Sequence, residues 1–120
     1  KQSARNQKRD GNVIDIGKAY ESYVNANSKT EREKILNDLR KDYFVLYLMR
    51  KAETQFDQEH FYLFRLKTFE NITYKQLAAK TGLKGVRQKV VNVKNWLKEN
   101  VSKEEVEKAF EEEYGDFFEI

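Results

Sequence analysis

Apolar residues recur at spacings of three and four along most of the chain, and short polar breaks divide them into helices. Val13, Ile14, Ile16, Ala19, Tyr20, Tyr23 and Val24 predict a short amphipathic helix near 13–25, ended by the polar run Asn25 to Ser28. Ser28-Lys29-Thr30-Glu31 has capping-box spacing, in which hydroxyl and carboxylate take backbone N–H groups reciprocally. A long helix should follow. Ile35, Leu36, Leu39, Tyr43, Phe44, Leu46, Tyr47 and Met49 give it a broad apolar face, and it should end near Ala52 to Gln55. Asp57 is a good N-cap for a helix over Gln58 to Phe69. The aromatics Phe61, Tyr62, Phe64 and Phe69 are expected to pack in a core. Aromatic platforms for bases are more usual on strands, and no strand pattern is visible.

Glu70-Asn71-Ile72 reads as a tight link. Thr73 then caps a short helix, Tyr74 to Lys80, with Leu77 and Ala78 facing inward. Thr81 to Gly85 is a turn in which Gly82 suits a left-handed backbone position. After it, Val86, Val90, Val93 and Leu97 form one clean stripe of a helix running to about Asn100. Ser102-Lys103-Glu104-Glu105 is a second capping box. It opens an acidic helix with Val106, Ala109, Phe110 and Tyr114 on one face, followed by an apolar end, Phe117, Phe118 and Ile120, that needs burial. The expected fold is all-α, a compact bundle of five or six helices containing a helix-turn-helix. Its expected parts are a mobile basic arm (1–12), an N-terminal helical part (13–55), the helix-turn-helix part (56–100) and an acidic C-terminal helix (101–120), all within a single domain.

Composition removes most chemistry. The 120 residues include no Cys, no Pro and one His. No thiolate metal site, disulfide framework or cysteine nucleophile is available, and one His cannot supply a histidine ligand cluster. No nucleophile, base and orienting group assemble from this inventory, so an enzyme is not expected, nor is a metal or other cofactor. His60 reads as a surface or half-buried structural residue, and Trp96 as a packing residue closing the end of its helix. The glutamates at 104, 105, 107 and 111–113 lack the Asp/Gly loop spacing of a calcium site and read as a solvated face. No apolar run approaches the ~20 residues of a membrane span and no signal peptide is visible, so a cytoplasmic location is expected. The first residue is Lys, which fits a fragment or a trimmed chain.

Charge changes the picture more. The net +3 conceals +3 over residues 1–10, neutrality over 11–70, +6 over 71–100 and −6 over 101–120. The +6 block coincides with the short helix, Gly turn and second helix of residues 73–98, which is the layout of a helix-turn-helix. Ala78 supplies the small residue needed where the helices cross, and Gly82 the sharp reversal. Leu77, Ala78, Gly82, Val86, Val90 and Val93 form the motif core. Lys75 on the first helix, and Lys84, Arg87, Gln88, Lys89, Asn92, Lys94 and Asn95 around the second, are the candidate DNA-binding residues. Arg, Gln and Asn suit bidentate contacts with base edges, and Lys suits phosphates.

Phe56 to Asn100, with its run "FYLFRLKTFENITYKQLAAKTGLKGVRQKVVNVKNWLKEN", resembles the fourth, promoter-reading region of bacterial sigma factors and of sigma-like phage regulators. The resemblance implies that Thr73 and Tyr74 open the first motif helix, that Val86 anchors the recognition helix, and that Lys84, Arg87, Gln88, Lys89 and Asn92 face DNA. The turn from Gly82 to Val86 is one residue shorter than the family's usual turn. Residues 13–55 show no core-polymerase-binding signature, so a sigma-like phage or mobile-element regulator fits better than a full sigma factor. The expected function is sequence-specific binding of double-stranded DNA for transcription regulation, with the basic arm 1–9 adding phosphate or minor-groove contacts. A phage packaging or replication-initiation subunit working as an oligomer, or a protein-interaction module, are the alternatives. The acidic end is a solubilising helix, a screen over the basic helix, or a contact surface for RNA polymerase, another protein or a second copy.

Overall fold

A computed structural model describes residues 15–118. The basic arm and the positions Val13, Ile14 and Ile120 lie outside those residues. The fold is all-α. Six helices occur among the described residues: α1 (Ile16–Val24), α2 (Lys29–Gln55), α3 (Gln58–Glu70), α4 (Tyr74–Thr81), α5 (Val86–Asn100) and α6 (Lys103–Phe118).

Local sequence signals place most of the boundaries. The Asp15 carboxylate accepts the Lys18 N–H at 3.0 Å and caps α1. Before α2, the Ser28 hydroxyl accepts the Glu31 N–H at 3.2 Å. The Glu31 carboxylate accepts the N–H of Asn27 at 3.1 Å rather than that of Ser28, so the expected box is displaced by one residue on its return side. Asp57 caps α3 through the His60 N–H at 2.8 Å. Asn71 closes α3 in the left-handed region, φ 49°, one of the few places where a residue with a side chain adopts that conformation readily.

The helices group into two compact units. Among the described residues, the terminal unit takes in 15–47 together with 103–118, and the central unit is Leu48–Ser102. This grouping differs from the four expected parts. The acidic helix α6 belongs with the N-terminal helices, and the division falls inside α2 between Tyr47 and Leu48. The physical reason is aromatic packing between segments far apart in sequence. Tyr43 of α2 meets Phe110 and Tyr114 of α6 edge-on at 5.5 and 5.7 Å, and Tyr23 of α1 meets Phe118 at 5.1 Å. Tyr43 and Tyr47 donate hydrogen bonds to Glu113 (2.9 Å) and Glu105 (2.7 Å). Helix α1 has no buried residue and is held by its tyrosines. Between α2 and α6 a groove of about 790 Å³ is floored by Tyr43, Val106 and Phe110.

In the central unit, Met49 and Ala52 from the end of α2, Leu63, Phe64 and Leu66 from α3, Leu77 from α4, and Val86, Val90, Val93 and Leu97 from α5 are buried. Helices α3 and α5 make the most extensive contact. Four aromatics expected on apolar faces are instead exposed: Tyr20 (42%), Phe44 (39%), Tyr62 (43%) and Phe117 (53%). On an apolar-rich helix the pattern shows that a broad face is apolar, but not how much of its width a neighbour covers.

Candidate nucleic-acid interface

The α4–turn–α5 segment is built by short-range chemistry. Thr73 Oγ1 accepts the Gln76 N–H at 3.1 Å, and Gln76 Oε1 accepts the Thr73 N–H at 2.8 Å, a complete capping box that fixes the start of α4. At its end, Gly82 adopts φ 70° and its N–H donates to Ala78 O at 2.8 Å. Thr81 Oγ1 donates to Leu77 O (2.8 Å) and accepts the Leu83 N–H (3.3 Å), tying the turn back onto α4. Gly85 is also left-handed, φ 64°, and serves as the N-cap of α5 without a side chain to bind the first-turn N–H groups. Two left-handed positions three residues apart let a short link reverse the chain.

Helix α5 divides cleanly into two faces. Val86, Val90, Val93 and Leu97 are buried, and Leu77 is fully buried within the same unit, while Ala78 is half-buried and Gly82 exposed. On the other face Arg87, Gln88, Asn92, Lys94 and Asn95 are exposed, as are Lys84 in the turn and Lys75 on α4. No acidic residue occurs between Glu70 and Glu99. The face is therefore uniformly cationic or amide-bearing for three helical turns.

The side chains on this face are not equally available. Gln88 Nε2 donates to Asn92 Oδ1 at 2.8 Å, so the two amides form one preset pair one turn apart. The Arg87 guanidinium lies 5.8 Å from the centroid of the Tyr74 ring, and Lys67 Nζ of α3 lies 4.8 Å from the same ring. The Lys67 ammonium also donates to Ile72 O at 2.7 Å. Lys89 is half-buried and ion-paired with Glu59 of α3, and Lys80 is ion-paired with Glu70. The sequence pattern puts Lys89 on the exposed side, and the structure does not. Its position one turn before Val93 and one residue before Val90 leans it toward α3, where Glu59 holds it.

At the edge of this unit, Trp96 meets Phe56 edge-on at 5.9 Å, and His60 stacks on Phe56 at 5.7 Å. His60 Nδ1 is 2.8 Å from Asp57 Oδ1. The His60 N–H and imidazole beside it hold the Asp57 carboxyl below its usual range. These residues pack and cap.

Ala78, Gly82, the valine stripe and the exposed polar side chains of α5 are legible in the sequence. The roles of Gly85, Gln76, Lys67 and the Tyr74 ring emerge only in the structure. The Thr-x-x-Gln spacing of 73–76 is a readable signal for Gln76. The Lys67–Tyr74–Arg87 and Glu59–Lys89 meetings depend on how three helices pack and leave no local trace. Among the described residues no group of His, Cys, Asp or Glu is placed to hold a metal ion, and no helix is long and apolar enough to cross a membrane. In comparisons with known proteins, no family model, no curated protein and no solved structure matches the chain.

Proposed function

We propose that the protein binds double-stranded DNA through a helix-turn-helix formed by α4 and α5, and acts as a sigma-like transcription regulator of the phage or mobile-element kind. The observation that carries this reading is the two-faced character of α5. One face is sealed into the central unit by four aliphatic residues. From Arg87 to Lys98 the other presents cations and amides, with no carboxylate between Glu70 and the exposed Glu99 near the end of the helix. In this reading α5 enters the major groove, where Gln and Asn can make paired hydrogen bonds to adenine and Arg to guanine. Helix α4 braces it from behind through Leu77, and Lys75, Lys84 and Lys94 meet phosphates. The reading needs no cofactor and no catalytic group, and it places the protein with the DNA in the cytoplasm.

The test is binding to a fluorescent duplex at several salt concentrations. Three phosphate contacts predict a log–log slope of roughly −2.7. Selection from a random duplex pool should then yield a preferred site, and Asn92→Ala should reduce discrimination at one position by about 1–3 kcal/mol. Affinity that does not change with salt overturns the proposal.

A further inference from the structure

We propose that Lys67, Tyr74 and Arg87 form a cradle for one backbone phosphodiester of duplex DNA, in which Tyr74 is the positioning residue that sets the Arg87 guanidinium. The inference rests on the reading of α5 as a DNA-facing helix and changes the role of Arg87 within it.

Three helices contribute. Tyr74 is the first residue of α4, and the Thr73–Gln76 box fixes the backbone that carries its ring. Lys67 comes from the last turn of α3, with its ammonium 4.8 Å from the ring centroid and anchored on Ile72 O at 2.7 Å. Arg87 comes from the first turn of α5, its guanidinium carbon 5.8 Å from the same centroid. Neither cation has a carboxylate partner among the described residues, whereas Lys80 is matched by Glu70 and Lys89 by Glu59.

An aromatic face attracts a cation but leaves its charge uncompensated. Two cations at one ring leave positive charge there for an anion to neutralise. A phosphodiester suits the place. One non-bridging oxygen can accept from the ammonium and the other from the planar guanidinium fork. The neighbouring start of α5 has no acidic side chain and no side-chain cap, so its N–H groups add positive potential toward the same strand. Arg87 held over Tyr74 is thereby committed to the backbone. Base reading passes to the preset Gln88–Asn92 pair and to Asn95, farther along the exposed face.

The experiment uses the full chain, a random-sequence duplex and a selected duplex, with NaCl varied. Thermal melts check that each variant folds. Arg87→Gln and Lys67→Gln should each flatten the salt slope by about 0.9 and weaken both duplexes equally. Tyr74→Phe should bind within about twofold of the parent, because the ring is kept. Tyr74→Leu should lose about two- to fivefold. The Tyr74→Leu/Arg87→Gln double variant should be no weaker than Arg87→Gln alone.

An unchanged slope for Lys67→Gln overturns the cradle. So does additivity of Tyr74→Leu with Arg87→Gln, or an Arg87→Gln loss confined to the selected duplex. In each of those cases salt-dependent binding by the parent protein leaves the DNA-binding reading standing. A parent protein with no salt-dependent duplex binding overturns both. If Tyr74→Leu fails to fold, the Lys67→Gln slope decides alone.

Discussion

The phenol of Tyr47 donates to the Glu105 carboxylate at 2.7 Å, and that bond, with burial and the charge of Glu105, pushes its pKa up to about 12. A phenol raised above its unfolded value near 10 adds stability that is complete below about pH 10 and is lost as pH climbs through about 12. Denaturation curves over that range should show a decline in the parent protein that is weaker in Tyr47→Phe, and the variant should be about 1 kcal/mol less stable at pH 7. Lys89 supplies a second residue-level expectation. Its pair with Glu59 is partly exposed, so Lys89→Ala should cost less than about 1 kcal/mol. On the proposed function it should also disturb DNA affinity less than Arg87→Gln does. Glu59→Gln releases the ammonium and should tighten non-specific duplex binding at low salt. At Gly85 a methyl group meets open space, but φ 64° is unfavourable for any L side chain, so Gly85→Ala should cost about 1 kcal/mol in a melt.

At the scale of elements, α5 separates stability from recognition. Leu77 of α4 is fully buried in the same unit, and Leu77→Ala should cost about 2–5 kcal/mol by chemical denaturation. Asn95→Ala, on the exposed face, should stay within about 0.5 kcal/mol. The helices themselves were legible where local chemistry decides them. Asp57, Thr73, Gly82 and the spacing of Val86, Val90, Val93 and Leu97 each act within a turn or two, and a linear reading reaches that far. The same reading extends the aromatic faces of α1, α2, α3 and α6 too widely, at Tyr20, Phe44, Tyr62 and Phe117. Which flank of an apolar face is covered depends on the crossing of another helix, and that information is not local. For the candidate interface, the cationic side chains were legible as a list. Their division into paired, stacked and free groups was not, because Glu59 and Lys67 come from α3.

Across the whole molecule, the charge divides unequally between the two units. The central unit, Leu48–Ser102, holds eleven basic and five acidic side chains, and the rest of the chain twelve basic and fifteen acidic. The net +3 is thus a basic unit joined to an acidic remainder. On the proposed function, the acidic remainder opposes the approach of DNA through the long-range field. Replacing Glu107, Glu111 and Glu112 together by Gln should strengthen non-specific duplex binding at low salt. The gain should shrink toward nothing above roughly 0.15 M, where the screening length falls to about 8 Å. An equal gain at every salt concentration would point to direct contact in place of a field.

The placement of Trp96 has a practical consequence. It is the only tryptophan of the chain, it sits on α5, and its ring is half-buried against Phe56. Intrinsic tryptophan emission is therefore a built-in optical reporter of the central unit, requiring no label. Far-ultraviolet dichroism, by contrast, sums all the helices. Recording both along one denaturant titration measures cooperativity directly: superimposed curves mean that the two units melt as one thermodynamic body, and separated curves give each its own midpoint.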